Sequence, residues 1–373
     1  AELTSTPAPT PAVMRVLMTV AAAGAAVFHG HRSSAAWLDR SKAPIDPVMQ
    51  LVVDNAEVPT DFDWRNVNGV NYVTSDVNQH IPQYCGSCWI HGTTAALNDR
   101  IKVLRQAAYP DVMLARQVIM NCVDLGDGKP PPGCGGGDAF SIHSYIHNHP
   151  MPDDTCLPYQ ARNMECEPLN ICRNCFVNGT CFPITSYTKY GISHHGNVSG
   201  EVKMMKEIYS RGPIVCSLAA DEQFMFHYGE TVADHEGVFV SNNTFTAADV
   251  DHDVEVAGWG VTPSGIKYWV VRNSWGTYWG EHGWFKMHRG DNHMMIESDC
   301  NWAVPTWGEL EPALAGRVMG DYLRGVHVEA AGGWEFAAVA APSAAAGGVA
   351  VLAVAAVVLR RRGRGDLRTP LMT

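Results

Sequence analysis

The sequence lacks an excess of basic residues, because its 27 lysines and arginines are outnumbered by 38 aspartates and glutamates. The formal net charge is -11 at pH 7, and the isoelectric point is about 5.8. Surfaces that bind nucleic acid depend on clustered positive charge. The composition therefore argues against nucleic acid as a partner.

Cysteine is missing from both ends of the sequence, because all 11 cysteines lie between Cys85 and Cys300. An odd number of cysteines leaves one of them unpaired when the others form disulfide bonds. The sequence also has no internal repeat. With 373 residues, 46% of them apolar, the chain can bury one large core or two lobes together with flanking segments.

The N-terminal part has the pattern of a signal peptide, in which Met14 and Arg15 precede an apolar run at 16–28. We interpret 14–28 as a signal peptide and 29–57 as a short propeptide. The alternative is that the apolar run is a buried helix of the fold. Entry into the secretory pathway makes disulfide bonds the expected state of the cysteines.

Three glycosylation sequons agree with a secretory route, although such triplets also arise by chance. Their acceptors are Asn178, Asn197 and Asn242.

The C-terminal part contains an uncharged run at 337–359, which is followed directly by a group of arginines at 360–364. Such a run is long enough to span a bilayer, and the arginines favour the cytosolic side. Its alanines and Pro342 weaken this interpretation, so a low-complexity tail or a removed anchor signal stays open. We predict a linker at 306–336, a C-terminal transmembrane helix at 337–359 and a basic cytosolic tail at 360–373.

A globular unit at 58–305 lies between these ends. Its first half carries a predicted helix from Trp89 to about Arg105 and then a region rich in cysteine, glycine and proline at 122–181. Its second half is predominantly strand, because β-branched and aromatic residues alternate with glycines. The four predicted strand segments are 213–220, 253–261, 267–276 and 283–290. This order predicts an α+β fold with a helical lobe, a β-rich lobe and a cleft between them.

Cys88 is the candidate nucleophile, because it directly precedes the predicted helix. The unpaired N–H groups and the macrodipole of a helix N-terminus stabilise an anion. The position predicts that the pKa of the Cys88 thiol lies below its ordinary value of about 8.5.

A thiol nucleophile needs a base, and His252 is the candidate because it directly precedes the predicted strand at 253–261. Asn273 lies in the predicted strand at 267–276, and we expect both strands to face the cleft. The Asn273 amide can hold the His252 imidazole in its useful tautomer. Gln79 can supply a hydrogen-bond donor that, with the Cys88 backbone N–H, stabilises an oxyanion. Each residue alone also fits an ordinary structural role. Their order and context favour nucleophilic catalysis.

Several segments resemble the papain-like cysteine peptidases. The general ones are CGSCW at 85–89, GWG at 258–260 and NSWGTYWGEHGW at 273–284. Four others resemble the cathepsin X branch of that family: DWRNVNGVNY at 63–72, NQHIPQYCGSCW at 78–89, YQARNMEC at 159–166 and AGWG at 257–260. The resemblance covers about 58–304.

The resemblance implies a papain-like two-lobe fold, with a helical left lobe and a β-barrel-like right lobe. It implies a cysteine peptidase with Cys88 as nucleophile, His252 as base, Asn273 as orienting amide and Gln79 in the oxyanion hole. It also implies that the substrate contacts Gly136, Gly137 and Trp275, that no cofactor is needed, and that the enzyme works as a monomer in a lysosomal, endolysosomal or extracellular location.

The insertion His80-Ile81-Pro82 is specific to the cathepsin X branch and implies a carboxypeptidase. In that branch the loop fills the primed side of the cleft, and its histidine faces the terminal carboxylate of the substrate. The implied partners are peptides and proteins with free C-termini. An endopeptidase and a catalytically inactive, membrane-tethered binding protein are the alternatives.

The resemblance also implies the disulfide pairs Cys85–Cys134, Cys122–Cys166, Cys156–Cys172, Cys175–Cys181 and Cys216–Cys300, which leave Cys88 free. The C-x2-C spacing of Cys172 and Cys175 also fits a metal site with Cys166 and Cys181. In a secreted chain disulfide bonds are favoured over that alternative.

Two features depart from the branch. Its propeptide carries a cysteine that bonds the active-site thiol, but no cysteine precedes Cys85 here. Asp253 follows His252 where an apolar residue is usual, and a carboxylate there raises the pKa of His252 if it turns inward.

Overall fold

The computed structural model describes residues 30–307. The predicted signal peptide, transmembrane helix and basic tail lie outside the described residues, as does all of the predicted linker beyond 307. Within 30–307, no helix combines the length and the apolar character that are needed to cross a membrane.

The first lobe is built around one long helix, α2. Its helices are α2 (Cys88–Leu104), α3 (Arg116–Cys122) and α4 (Ala139–Asn148), whereas α1 (Pro47–Asp54) precedes them in the chain and packs on the second lobe. The helix predicted from Trp89 is confirmed and begins one residue earlier. Nearly every residue of α2 is buried, because α3 and α4 cover one side of it and the second lobe covers the other.

The second lobe is a twisted, mainly antiparallel sheet with two helices packed on it. Its strands are β1 (Phe62–Asp63), β4 (Tyr190–Val198), β5 (Ile214–Leu218), β6 (Val238–Phe239), β7 (His252–Val261), β8 (Lys267–Arg272), β9 (Trp284–His288) and β10 (Cys300–Trp307). The order across the sheet is β4-β10-β5-β7-β8-β9-β6, with β1 paired to β7. The helices are α5 (Glu201–Arg211) and α6 (Glu222–Thr231), and a separate hairpin joins β2 (Arg173–Cys175) to β3 (Cys181–Pro183).

All four predicted strand segments are confirmed, as β5, β7, β8 and β9. The sequence did not predict β4, β10, α5 or α6. The β-rich lobe has its own core, in which Phe224 of α6 packs against Phe239 and Phe285.

The lobes are joined by short segments from the first half of the chain. Phe62 and Asp63 pair with Trp259 and Gly258 of β7, although they precede α2 in sequence. Asn78 likewise forms an antiparallel bridge with Trp275.

The helix α2 approaches β7 very closely. A Cβ atom on Gly92 would lie 3.1 Å from the backbone of Asp253 and Val254. The absence of a side chain at Gly92 allows this close approach, which places the start of α2 beside the start of β7.

The structure contains five disulfide bonds, and they are the pairs that the resemblance implies: Cys85–Cys134, Cys122–Cys166, Cys156–Cys172, Cys175–Cys181 and Cys216–Cys300. All four cysteines of the alternative metal site are bonded to another cysteine. Cys88 is the free cysteine.

Candidate active site

Cys88 is the first residue of α2 and is completely buried. The backbone N–H groups of Trp89 and Asp253 both stabilise a charge on its sulfur. The second of these groups belongs to the residue after His252, so the thiol lies against the first turn of its own helix and against the start of β7.

His252 and Asn273 meet because β7 and β8 are antiparallel neighbours. Glu255 of β7 is opposite Arg272 of β8, so Asn273, the residue after β8, falls beside Val254, which is two residues from His252 and on the same face of the strand. The distance from His252 Nε2 to Asn273 Oδ1 is 2.8 Å, and both side chains are buried.

The tautomer of His252 follows from a second hydrogen bond. The backbone N–H of Ser274 donates to Asn273 Oδ1 at 2.8 Å, which identifies this atom as the oxygen of the amide. His252 Nε2 must therefore donate its hydrogen to Asn273, and Nδ1 is the nitrogen that exchanges a proton. The ring of Trp275 stacks on His252 with 4.8 Å between centroids.

Gln79 is buried and is held at both ends of its amide. Ser274 Oγ donates to Gln79 Oε1 at 2.7 Å, and Gln79 Nε2 donates to the carbonyl of Cys85 at 3.1 Å. The donor end of the amide is therefore directed towards the residues that precede α2.

Tyr159 supports this arrangement and was not predicted as a site residue. Its hydroxyl donates to the Gln79 carbonyl at 2.7 Å and lies 2.7 Å from Ser87 Oγ, which then acts as the donor. Burial raises the pKa of Tyr159 to about 12, so the hydroxyl keeps its hydrogen. The segment YQARNMEC carried the family resemblance but gave no signal of this contact.

A buried ionic cluster fixes the helix to the strands and was also missed by sequence reasoning. Arg272 donates a hydrogen bond to Asp99 of α2, and its guanidinium lies 3.1 Å from the carboxylate of Glu255 in β7. The three side chains are almost completely buried, and an unpaired charge there is costly. The cluster therefore ties α2, which carries Cys88, to the strands that position His252 and Asn273.

His80 lies in the loop between Gln79 and the nucleophile. Its ring stacks on Tyr84 with 4.6 Å between centroids, and its Nδ1 atom is buried without a hydrogen-bond partner among residues 30–307. Burial lowers the pKa of His80 below its ordinary value. In the free protein, the pKa of His80 therefore lies below the ordinary value of about 6.5.

The glycine-rich segment lines the opposite side of the cleft. Gly137 packs on Trp89, the residue after the nucleophile, so closely that a Cβ atom would lie 2.7 Å from the indole ring. Its neighbour Gly136 has φ +89°, a conformation that favours glycine. Cys134 of the same segment is tied by its disulfide bond to Cys85.

A segment at 30–34 lies along the glycine-rich segment. Gly137 N–H donates to the Gly30 carbonyl at 3.0 Å, and Arg32 N–H donates to the Gly137 carbonyl at 2.8 Å. Gly30 also packs on the Gly86 carbonyl, where a Cβ atom would lie 2.1 Å from the oxygen. Part of the predicted propeptide therefore occupies the cleft.

The predicted lowering of the Cys88 pKa is wrong for this state. Burial raises the pKa of the thiol well above its ordinary value, and the carboxylates of Asp253 and Asp251 oppose ionisation further. The backbone N–H groups of Asp253 and Trp89 act in the expected direction but are outweighed. A covered cleft keeps water from the thiol, and this loss of hydration was not visible in the sequence.

Asp253 turns away from His252. Its carboxylate accepts a hydrogen bond of 2.6 Å from Ser217 Oγ and lies 3.0 Å from His31 Nδ1.

The three predicted glycosylation acceptors, Asn178, Asn197 and Asn242, are all exposed. Their modification stays a prediction.

Comparisons with known proteins agree on one family. The sequence model of the family described as "Papain family cysteine protease" matches residues 58–304. Cathepsin Z of Onchocerca volvulus is 42% identical over 257 residues, which are 67% of this chain and 78% of that protein.

Solved structures agree with the fold. Bromelain of Ananas comosus, in complex with the E64 inhibitor, is 26% identical with a TM-score of 0.50, and the match covers 66% of this chain and 99% of bromelain. Procathepsin L2 from the larval midgut of Tenebrio molitor is 24% identical with a TM-score of 0.56, covering 74% and 78%. The second likeness shows the fold alone.

Proposed function

Because this chain belongs to the papain family of cysteine peptidases, we propose that it is a carboxypeptidase that removes single residues from the C-termini of peptides. The observation that carries the proposal is His80, which follows the oxyanion-hole candidate Gln79 and has a buried ring nitrogen without a partner among residues 30–307. The similarity to cathepsin Z of Onchocerca volvulus supports the same assignment.

In the proposed reaction, His252 Nδ1 takes the proton of the Cys88 thiol, and the thiolate attacks the carbonyl carbon of the last peptide bond. The hydrogen bond from His252 Nε2 to Asn273 Oδ1 keeps Nδ1 available to accept that proton and stabilises the imidazolium that forms. When the segment at 30–34 leaves the cleft, water and substrate dipoles replace it, and the cost of ionising the thiol falls.

The negative charge that develops on the substrate oxygen is stabilised by two donors, Gln79 Nε2 and the backbone N–H of Cys88. Collapse of the tetrahedral intermediate breaks the C–N bond, and His252 gives its proton to the leaving amine. A water molecule then hydrolyses the thioester, with His252 as base, and restores the thiol.

The substrate backbone pairs with Gly137 in this proposal, where Gly30 and Arg32 bond in the present structure. Gly136 permits the turn of the glycine-rich segment, and the ring of Trp275 stacks on His252. The segment at 29–57 acts as the propeptide. The five disulfide bonds fit the secretory pathway or the lysosome. The membrane anchor and the monomeric state remain predictions from the sequence.

His80 distinguishes chain ends from chain interiors, because a terminal carboxylate offers it a charged acceptor that an internal peptide bond lacks. A charge-assisted hydrogen bond contributes about 1.5 to 3 kcal/mol. Its loss corresponds to roughly a 10- to 150-fold fall in kcat/KM.

The test uses a peptide pair that differs only in a free or an amidated C-terminus, with products identified by mass spectrometry. We expect wild type to release one residue at a time from the free carboxylate. His80→Ala should lower kcat/KM on that peptide 10- to 150-fold and leave the amidated peptide nearly unchanged.

His149→Ala is the matched control, since His149 stacks on Tyr145 with 4.7 Å between centroids but lies at the exposed end of α4. It should change neither activity. An equal loss on both peptides in His80→Ala would make the loop structural. Internal cuts by wild type would favour an endopeptidase.

A further inference from the structure

The segment at 30–34 directs two side chains into the protein: Ser34 donates to Asp138, and His31 approaches Asp253. The two hydrogen bonds with Gly137 flank His31, whose own N–H donates to the Asp251 carbonyl at 3.0 Å. His31 therefore directs its side chain into a subsite beside Gly137, as a substrate residue paired with Gly137 would do.

The floor of this subsite is a buried carboxylate. Asp253 is 1% exposed, and its two oxygens lie 3.0 and 3.1 Å from His31 Nδ1. Ser217, which is also buried, donates to one of these oxygens at 2.6 Å and lies 3.3 Å from the same ring nitrogen. This is a polar pocket built for one positive group.

The charges around His31 favour its protonated form. Burial opposes protonation, but Asp253, and more weakly Asp138 and Asp299, outweigh it and raise the pKa of His31 to about 9. Arg40, which lies six residues beyond the segment at 30–34, pairs with Asp138 and Asp299. The neighbouring Asp251 has its pKa raised to about 7, chiefly by burial, and its carboxylate accepts from the Ala220 N–H.

When the segment leaves, Asp253 loses the cation that now lies against it. An uncharged substrate side chain that fills the subsite buries the Asp253 carboxylate without a counter-charge, which is costly. A cationic side chain of equal length supplies that charge.

We propose that Asp253 and Ser217 make the subsite beside Gly137 selective for a cationic substrate side chain, and that His31 occupies this subsite in the full chain. The specificity rests on the proposed peptidase function, whereas the occupancy by His31 does not. His31 is thus a non-covalent latch in a chain that has no cysteine before Cys85.

The first experiment measures how fast iodoacetamide alkylates Cys88 in the full chain, where Cys88 is the one cysteine outside the five disulfide bonds. His31→Ala should raise the rate at least about tenfold at pH 7, and His31→Lys should keep it near wild type.

Because the pKa of His31 is raised, its hold on the segment is complete below about pH 6.5 and is lost as pH rises through about 9. The ratio of the wild-type rate to the His31→Lys rate should therefore climb above pH 9, and ionisation of the thiol cancels in that ratio. Equal rates for His31→Ala and wild type at pH 7 would overturn the latch.

The second experiment measures specificity as binding, so it does not require turnover. In the His31→Ala chain, short peptides carrying lysine or its uncharged analogue norleucine at each position in turn are tested for protection of Cys88 from alkylation. At one position lysine should protect at about 10- to 150-fold lower concentration, the range of one charge-assisted hydrogen bond.

Asp253→Asn, which keeps an acceptor for Ser217, should bring this ratio close to one. Asp251→Asn is the matched control and should retain most of it. No preference for lysine at any position, or a preference that survives Asp253→Asn, would overturn the specificity. A chain that shows the preference but hydrolyses no peptide would overturn the proposed function instead.

Discussion

Gly92→Ala separates the stability of α2 from the geometry of the active site. The new Cβ atom would lie 3.1 Å from the backbone of Asp253 and Val254, about 0.3 Å or more inside ordinary contact, which begins at 3.4 Å. Backbone atoms cannot rotate away, so α2 and β7 must separate by a few tenths of an ångström. That separation moves Cys88 away from His252.

The two effects of this substitution have opposite signs for stability. Alanine in a helix interior is favoured over glycine by about 0.8 to 1.0 kcal/mol. Overpacking costs about 1 to 3 kcal/mol. The free energy of unfolding should therefore fall by no more than about 2 kcal/mol.

Activity should fall more than stability suggests. A misplacement of about 1 Å costs roughly 100-fold in rate, so a shift of a few tenths of an ångström should lower kcat about 4- to 10-fold. Urea unfolding with intact disulfide bonds and kcat on a free-carboxylate peptide measure the two quantities on the same samples.

The control is Gly229→Ala in α6, where a Cβ atom meets nothing within 4 Å. It should raise stability slightly and leave kcat unchanged. If Gly92→Ala behaved in the same way, the close contact between α2 and β7 would not set the distance between nucleophile and base.

Three further predictions concern neighbouring groups. Asn273→Ala removes the acceptor of His252 Nε2 and should lower kcat/KM about 10- to 150-fold with little change in KM, measured by steady-state kinetics. Asp99→Asn leaves Arg272 with less compensation and should lower the free energy of unfolding in urea by about 3 kcal/mol; a change below 1 kcal/mol would contradict the role of the cluster. Because burial lowers the pKa of His80, kcat/KM for free-carboxylate peptides relative to amidated ones should decline with a midpoint below pH 6.5, and a midpoint at or above that value would refute the burial argument.

The sequence predicted the parts of the fold that have a local signal. The β-branched and aromatic residues between glycines identified β7 and β8, and the segment from Trp89 to about Arg105 was predicted as the helix α2. The strand β4 escaped because its sequence, YGISHHGNV, mixes glycine and histidine, and its partner β10 pairs with it from far along the chain. Neither strand alternates between buried and exposed residues, so neither has the period of two that identifies a strand from sequence.

The candidate site shows the same division. The residues Cys88, His252, Asn273 and Gln79 lie in segments that resemble the papain family, and the fold brings them together. The occupant of the cleft could not be foreseen, because nothing in the sequence around His31 indicates that Asp253 lies 3.0 Å away. The predicted lowering of the pKa of the Cys88 thiol was wrong for this reason.

The bridge between Asn78 and Trp275 has a consequence for how the protein assembles. The chain contributes Gln79 early, yet that residue is fastened to Ser274 near the other end of the domain. A gene divided between the lobes would thus yield two fragments, neither of which could complete its own half of the catalytic centre. Reconstitution from such fragments would require residues 78–79 of the N-terminal fragment to bind the C-terminal fragment. The nucleophile and the base would therefore become active only when both fragments are assembled.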